Sequence, residues 1–172
     1  MTTINHYQST TEKENNSIPG LFINELKRAY SVEKLHINIL EKLTAAASND
    51  ELGEILDEHM DITEVQLNRI EEIFRLLNIE TVSETHETME MLCKEAEKTI
   101  EEIHEPQLRD PAILNIVQKM EDFEITSYRT LISYSEKIGN ADINELLQAT
   151  LDEEEDAEKV FNKLAESTLV NA

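Results

Sequence analysis

Glu121 and Glu124 stand one helical turn apart in QKMEDFEITSYRTL (118–131) and share a face with Val117, Tyr128 and Leu131. A carboxylate on an apolar stripe needs a partner, a proton or a cation, because burying it bare is strongly unfavourable. The same question recurs elsewhere in the chain. Glu33 interrupts the stripe Phe22, Leu26, Tyr30, Ile37 and Leu40. His59 interrupts Leu52, Ile55, Leu56, Ile62, Ile70 and Ile73, with Thr63 and Gln66 on the same face. Glu154, and Glu158 one turn later, interrupt Leu146, Leu147, Leu151, Phe161 and Leu164.

These spacings have a chemistry in common. With a rise of about 1.5 Å per residue, Glu33, His59, Glu121 and Glu154 fall at comparable depths in an antiparallel bundle. Carboxylates and an imidazole meeting at one level cannot all be buried as bare charges. Two divalent cations would resolve the conflict, and hard oxygen ligands with a His nitrogen suit iron or manganese. The i,i+3 and i,i+4 pairs are the spacings that put two ligands on one helix face.

The elements that must position these residues are helices. The apolar patterns repeat at 3.6 residues and none alternates as a strand would. The first long helix is expected over about 19–47. A second follows at about 50–77, with capping oxygens from Ser48, Asn49 and Asp50. A shorter helix begins at Ser83 and ends before Pro106, carrying Met89, Leu92, Ala96 and Ile100 on one side. Asp110-Pro111 reads as the start of the third long helix, a capping residue followed by proline, and Gly139 as its end. Asp142 reads as the cap of a fourth, about 143–167. Two antiparallel hairpins joined by a long crossover that contains a short helix make an all-α, ferritin-like four-helix bundle.

Composition narrows the function. Lys and Arg number 15 against 37 Asp and Glu, a formal net charge of −22. Nucleic acid and anionic membrane would both be repelled. The one cysteine, Cys93, allows no internal disulfide and reads as a small apolar helix residue. The N-terminal stretch MTTINHYQSTTEKENNSIPG is polar, and no apolar run approaches membrane-spanning length. The expectation is a cytoplasmic protein with a disordered tail over 1–18 and one domain over 19–170. His86 and His104 on the crossover read as surface residues, and Tyr30 and Tyr128 as core aromatics whose hydroxyls bond a ligand carboxylate. The run DEEEDAE (152–158) is mostly a solvated face.

LFINELKRAYSVEKL, EHMDITEVQLNRIEEIF, QKMEDFEITSYRTL and LLQATLDEEEDAEKV, with the crossover segment TMEMLCKEAE, resemble the bacterial YciF-type ferritin-like family of unknown function. The resemblance spans roughly 19–168, and its most specific part is the third-helix pattern E-x-x-E-I-x-x-Y. It implies a ferritin-like bundle, commonly a homodimer, associated with bacterial stress responses and carrying a rubrerythrin-like di-metal site. Carried over by position, the ligands are Glu33, His59, Glu121, Glu124, Glu154 and Glu158. This chain departs from the pattern at Asp122 and Phe123, where His and Tyr are common, and at Glu158, where Asp is usual. Well-characterised di-iron proteins carry E-x-x-H on two helices. Here Leu56 stands three residues before His59 and the last helix has no His, so neither copy is read as intact.

The expected function is a stress-associated protein that holds two divalent metal ions, iron foremost and manganese second. It would reduce peroxide or oxygen, or oxidise ferrous iron. With no rubredoxin-like cysteine cluster, any electron donor would be another molecule. The alternative is a non-catalytic helical dimer with a vestigial polar layer, its glutamates protonated, hydrated or paired with Arg69, Arg129 or Lys119.

Overall fold

The computed structural model describes residues 16–170, with side chains through Ser167. Most of the expected N-terminal tail, residues 1–15, lies outside the described residues. Five helices follow in order: α1 Ile18–Ala46, α2 Asp50–Leu76, α3 Glu87–Glu102, α4 Pro106–Ile138 and α5 Ala141–Val170. Among the described residues there is no strand, and no helix is long and apolar enough to cross a membrane.

Local chemistry sets the helix ends. The Ser17 hydroxyl accepts from Gly20 N at 3.2 Å, with Pro19 in the first turn, and opens α1. Asn49 Oδ1 accepts from Leu52 N at 3.2 Å and opens α2. Gly139 closes α4 in the left-handed region, φ 75°, where a side chain would be strained.

Three boundaries differ from the sequence reading. The crossover helix begins at Glu87, not Ser83, with no side-chain cap from His86. The last helix opens on Asn140, whose Oδ1 accepts from Ile143 N at 3.3 Å, and Asp142 falls inside its first turn. Most informatively, α4 begins at Pro106, so Asp110 and Pro111 lie within it. Asp110 does cap a helix, but not its own. Its two carboxylate oxygens accept from Ser48 N at 2.9 Å and Asn49 N at 2.8 Å, in the turn between α1 and α2.

Two apolar cores order the packing. One gathers Leu40 and Leu43 of α1, Leu52 and Leu56 of α2, Met89 and Ala96 of α3, Ile113 to Met120 of α4, and Phe161 of α5. The other gathers Phe22 and Leu26, then Ile70 and Phe74, then Ile125, Tyr128 and Leu131, and finally Ile143 and Leu147. The order in which each helix meets the cores gives its direction. α1 and α5 run from the second core to the first; α2 and α4 run the other way. α1 packs on α2 and α4, and α5 packs on α4 and α2, which closes a ring; α3 lies on α1 and α4.

The Asp110 bonds tie α4 to the turn that sets the α1–α2 register. Asp110→Ala removes the acceptor of two backbone N–H groups in a turn whose Ser48 and Asn49 are exposed, so water replaces part of what is lost and the cost is about 0.5–1.5 kcal/mol per bond at most. Urea unfolding should show the midpoint falling, with Asp110→Asn, which keeps one acceptor, falling less.

Candidate metal centre

Between the two cores every long helix places a polar residue inward. Glu33 and His36 from α1, His59 from α2, Glu121 and Glu124 from α4, and Glu154 from α5 are all buried, none more than 3% exposed. Their helical spacing is responsible. Glu121 and Glu124 lie between Val117 and Met120 on one side and Ile125 and Tyr128 on the other, all buried, so the apolar contacts turn both carboxylates inward. Glu33 and His36 sit likewise between Ala29 and Val32 and Ile39 and Leu40.

Glu121 stands between the two imidazoles. Its Oε1 lies 3.1 Å from His59 Nε2 and 3.7 Å from His36 Nε2. His36 Nδ1 lies 2.6 Å from Glu124 Oε2. The angles at these contacts do not make hydrogen bonds. Both ring nitrogens of His36 and His59, both oxygens of Glu121, Glu124 and Glu154, and Oε2 of Glu33 have no hydrogen-bond partner. Among the described residues, two groups have potential ligand atoms that all lie within 4.8 Å of one another: His36 with His59 and Glu121, and Glu121 with Glu124 and Glu154. Glu121 belongs to both, as a bridging carboxylate would.

Burial pushes Glu33, Glu124 and Glu154 well above the usual carboxyl range, reinforced by neighbouring carboxylates: Glu124 beside Glu33, Glu154 beside Glu124, Glu121 beside Glu154. Burial raises Glu121 to about 7, with His36 opposing it, and lowers His36 to about 4. These shifts describe an ion-free cluster that favours neutral forms.

The surroundings hold the cluster in place without neutralising it. The Tyr128 hydroxyl donates a short hydrogen bond to Glu33 Oε1, the role expected of it. Tyr30 does otherwise: its hydroxyl donates to Glu71 at 2.9 Å on the surface, because its ring packs edge-on against Phe74 near the helix-pair rim. Thr63 donates to the His59 carbonyl at 2.9 Å. The three basic residues read as possible partners all pair elsewhere: Arg69 with Glu153, Lys119 with Glu95, Arg129 with Glu155. His86 is half-buried with its ring 4.7 Å from that of Phe123, whereas His104 is exposed.

Of the six positions carried over from the resemblance, Glu121, Glu124, Glu154 and His59 enter the two close groups. Glu33 is buried beside them, bound to Tyr128, and Glu158 is half-buried and outside both. His36 was missed, and with it an intact E-x-x-H: Glu33 and His36 stand three apart on α1. This pair lies on α1, a helix for which no such motif was expected; the copies sought at His59 and on the last helix stay incomplete, with Leu56 three residues before His59 and no His on α5. The signal was present in the spacing, but the apolar stripe was drawn through Ile37 in place of His36. Ile37 is half-buried, and His36 is fully buried.

A groove runs from this cluster to the surface between α2 and α5. It has a volume of about 270 Å³, and His59 and Phe161 line it, their rings 5.4 Å apart and nearly perpendicular.

The chain matches known proteins over nearly its whole length. It is 33% identical over 150 residues to protein YciF of Escherichia coli (strain K12), covering 87% of this chain and 90% of that one. The crystal structure of the E. coli stress protein YciF superposes with a TM-score of 0.87 at 32% identity, covering 91% of this chain and 99% of that one. YcfI from Rhodopseudomonas palustris, described as a candidate structural protein, superposes with a TM-score of 0.85 at 29% identity, covering 89% and 98%. A protein from Xanthomonas campestris pv. campestris shares the fold, with a TM-score of 0.74 at 17% identity over 90% and 95%. The pattern of a domain of unknown function, DUF892, matches residues 18–172, and the chain belongs to this YciF-type family.

Proposed function

We propose that this chain is a ferritin-like four-helix bundle that holds two divalent metal ions, iron foremost, at the layer of Glu33, His36, His59, Glu121, Glu124 and Glu154. One observation carries the reading: buried oxygen and nitrogen donors converge from all four long helices, most of these atoms lack a hydrogen-bond partner, and neither Arg69, Lys119 nor Arg129 pairs with them. Buried polar atoms in native proteins are almost always satisfied, and a missing ion is a recognised reason for exceptions. The donor set fits: carboxylates with two imidazoles suit iron or manganese, and four carboxylates balance two dications. The parallel run of α2 and α4, joined by a chain-length crossover, supports the ferritin-like topology.

Bound iron would supply electron transfer to peroxide or oxygen. The chain's own residues would hold and orient it. Glu121, whose carboxylate belongs to both groups of close donor atoms, would help to hold both ions. Tyr128 fixes the Glu33 carboxylate, and the apolar cores on either side exclude water. Glu158, one turn from Glu154, is half-buried and lies outside both groups, so it is left out of the resting ligand set. An external electron donor, a homodimeric state, a cytoplasmic location and a stress-linked role complete the proposal; the last rests on similarity to a protein named for stress.

A second reading, a structural helical dimer with a vestigial layer, rests on the description given to YcfI. Metal content separates the two. Protein produced without a histidine tag in iron-supplemented medium is expected to carry about two ions per chain. Glu121→Ala or His36→Ala should lower that to about one or fewer, with helicity unchanged by circular dichroism. Essentially no metal, and none taken up on anaerobic ferrous titration, would establish the vestigial layer.

The raised carboxyl pKa values predict how metal-free protein responds to pH. A carboxyl whose folded pKa lies above its unfolded value near 4.5 favours folding in acid, and that advantage is lost as pH rises toward the folded value. His36 opposes this: below about 6.5 the unfolded chain gains a proton that the folded chain does not take until about 4. Four carboxyls outweigh one imidazole, so the thermal midpoint of metal-free protein should be higher at pH 5 than at pH 7. For Glu121, raised to about 7, the stability lost between acid and pH 7 is on the order of 3 kcal/mol. Glu124→Gln should therefore stabilise the metal-free protein at pH 7, and the gain should shrink at pH 5. Metal-loaded protein should show the opposite trend, losing its ions in acid.

A further inference from the structure

The groove between α2 and α5 is built differently from the rest of the acidic surface. Its sides are Ile55, Ile62, Ala157 and Val160, and its floor is formed by the buried rings of Phe161 and His59. Ile62 and Val160 are 37% and 45% exposed, and Val65 beside them is 48% exposed, which continues the apolar surface outward. Single exposed apolar residues are ordinary, but several bordering a concavity mark a binding site. Its 270 Å³ lies just below the roughly 300–1,000 Å³ of drug-sized sites, so the occupant is small.

Two further observations fix the chemistry of that occupant. His59 is 3% exposed and turns Nε2 toward Glu121, so the groove ends on a ring that also meets the carboxylate layer. Around the mouth stand Glu58, Glu153 and Asp156. Glu153 is held by Arg69 at 2.5 Å; Glu58 and Asp156 are exposed. Such a mouth repels anions, and an apolar floor strips water from any fully charged ligand at a cost.

We propose that this groove binds an uncharged, compact apolar molecule with a single hydroxyl or hydroperoxy head, its body against Ile62, Val160 and Phe161 and its head at His59. As a substrate route, this rests on the di-metal reading and narrows its substrate class from hydrogen peroxide to small alkyl or aryl hydroperoxides. The binding itself depends only on side chains present in the metal-free protein.

The test therefore uses full-length, metal-free protein and the unreactive alcohol 2-phenyl-2-propanol, followed by NMR of the His59 ring and the Ile55 and Ile62 methyl groups. Saturable shifts in the millimolar range are expected, with benzoate, of similar size but anionic, at least about tenfold weaker. Ala157→Leu fills the groove and should weaken the alcohol about tenfold or more. Val160→Glu, on the exposed rim and tolerated by the helix, should also weaken it. Absent shifts, shifts confined to other surfaces, or equal binding of benzoate would overturn the proposal even if the protein loads metal. Alcohol binding in a protein that takes up no metal would uphold the groove and end the di-metal reading. Sedimentation supplies the remaining arm: a dimer that Ile62→Asp splits would show that a second copy covers the groove, and would overturn the proposal.

Discussion

The structure depends on burying four carboxylates and two imidazoles in one layer, with an apolar core above it and another below. Neither core can relax the layer. Turning α4 enough to bring Glu124 to water would also expose Val117, Tyr128 and Leu131, each now fully buried. A fully buried large apolar side chain contributes about 1.5–3 kcal/mol, so exposing all three would cost more than the roughly 3 kcal/mol gained by freeing one carboxyl. The polar layer is thus imposed by its neighbours in sequence. The cost of its charges must be met inside the layer, by protons or by cations.

The donors are distributed unequally among the helices. α1 gives Glu-x-x-His, α4 gives Glu-x-x-Glu, and α2 and α5 each give one buried polar residue to the layer, His59 and Glu154. Support is unequal too. Tyr128 fixes Glu33, and Arg69 with Thr150 and Gln66 fixes Glu153 beside the layer. Glu121, Glu124 and Glu154 have no comparable anchor. Helix packing positions these three, whereas Tyr128 also holds Glu33 on α1. The layer borders the α2–α5 groove through His59 and its ring contact with Phe161.

The helices were legible because their apolar periodicity is strong and their caps, Asn49 and Gly139, act locally. Asp110 shows where that reading stops. Asp-Pro is a good local start signal, but the carboxylate is used across the fold by the α1–α2 turn, a contact no local rule reports. The glutamates were legible because a carboxylate in an apolar stripe is unusual. His36 was not, because it lies beside Ile37 and either residue fits a stripe drawn at 3.6 residues per turn. Only the packing of α1 against both α2 and α4 decides that the imidazole faces inward. Tyr30 erred in the opposite direction. One turn from a ligand in sequence, it leaves the layer because its ring goes to Phe74 and its hydroxyl to Glu71.

Protons and dications are alternative ways of neutralising the same layer. Four carboxyls become neutral by taking up four protons, or balanced by two dications with both imidazoles unprotonated. The lowered pKa of His36, about 4, serves the second state, since an imidazole must be neutral to ligate. The raised carboxyl values serve the first and set the competition that a metal must win. An overall charge of −22 assists the ions in a way that the layer alone cannot: it raises the local concentration of cations around the molecule, protons included. What then discriminates between proton and metal is ligand geometry. A proton needs one oxygen, whereas an ion needs several donors at once, and only the convergence of Glu121 with both imidazoles and both neighbouring carboxylates offers them.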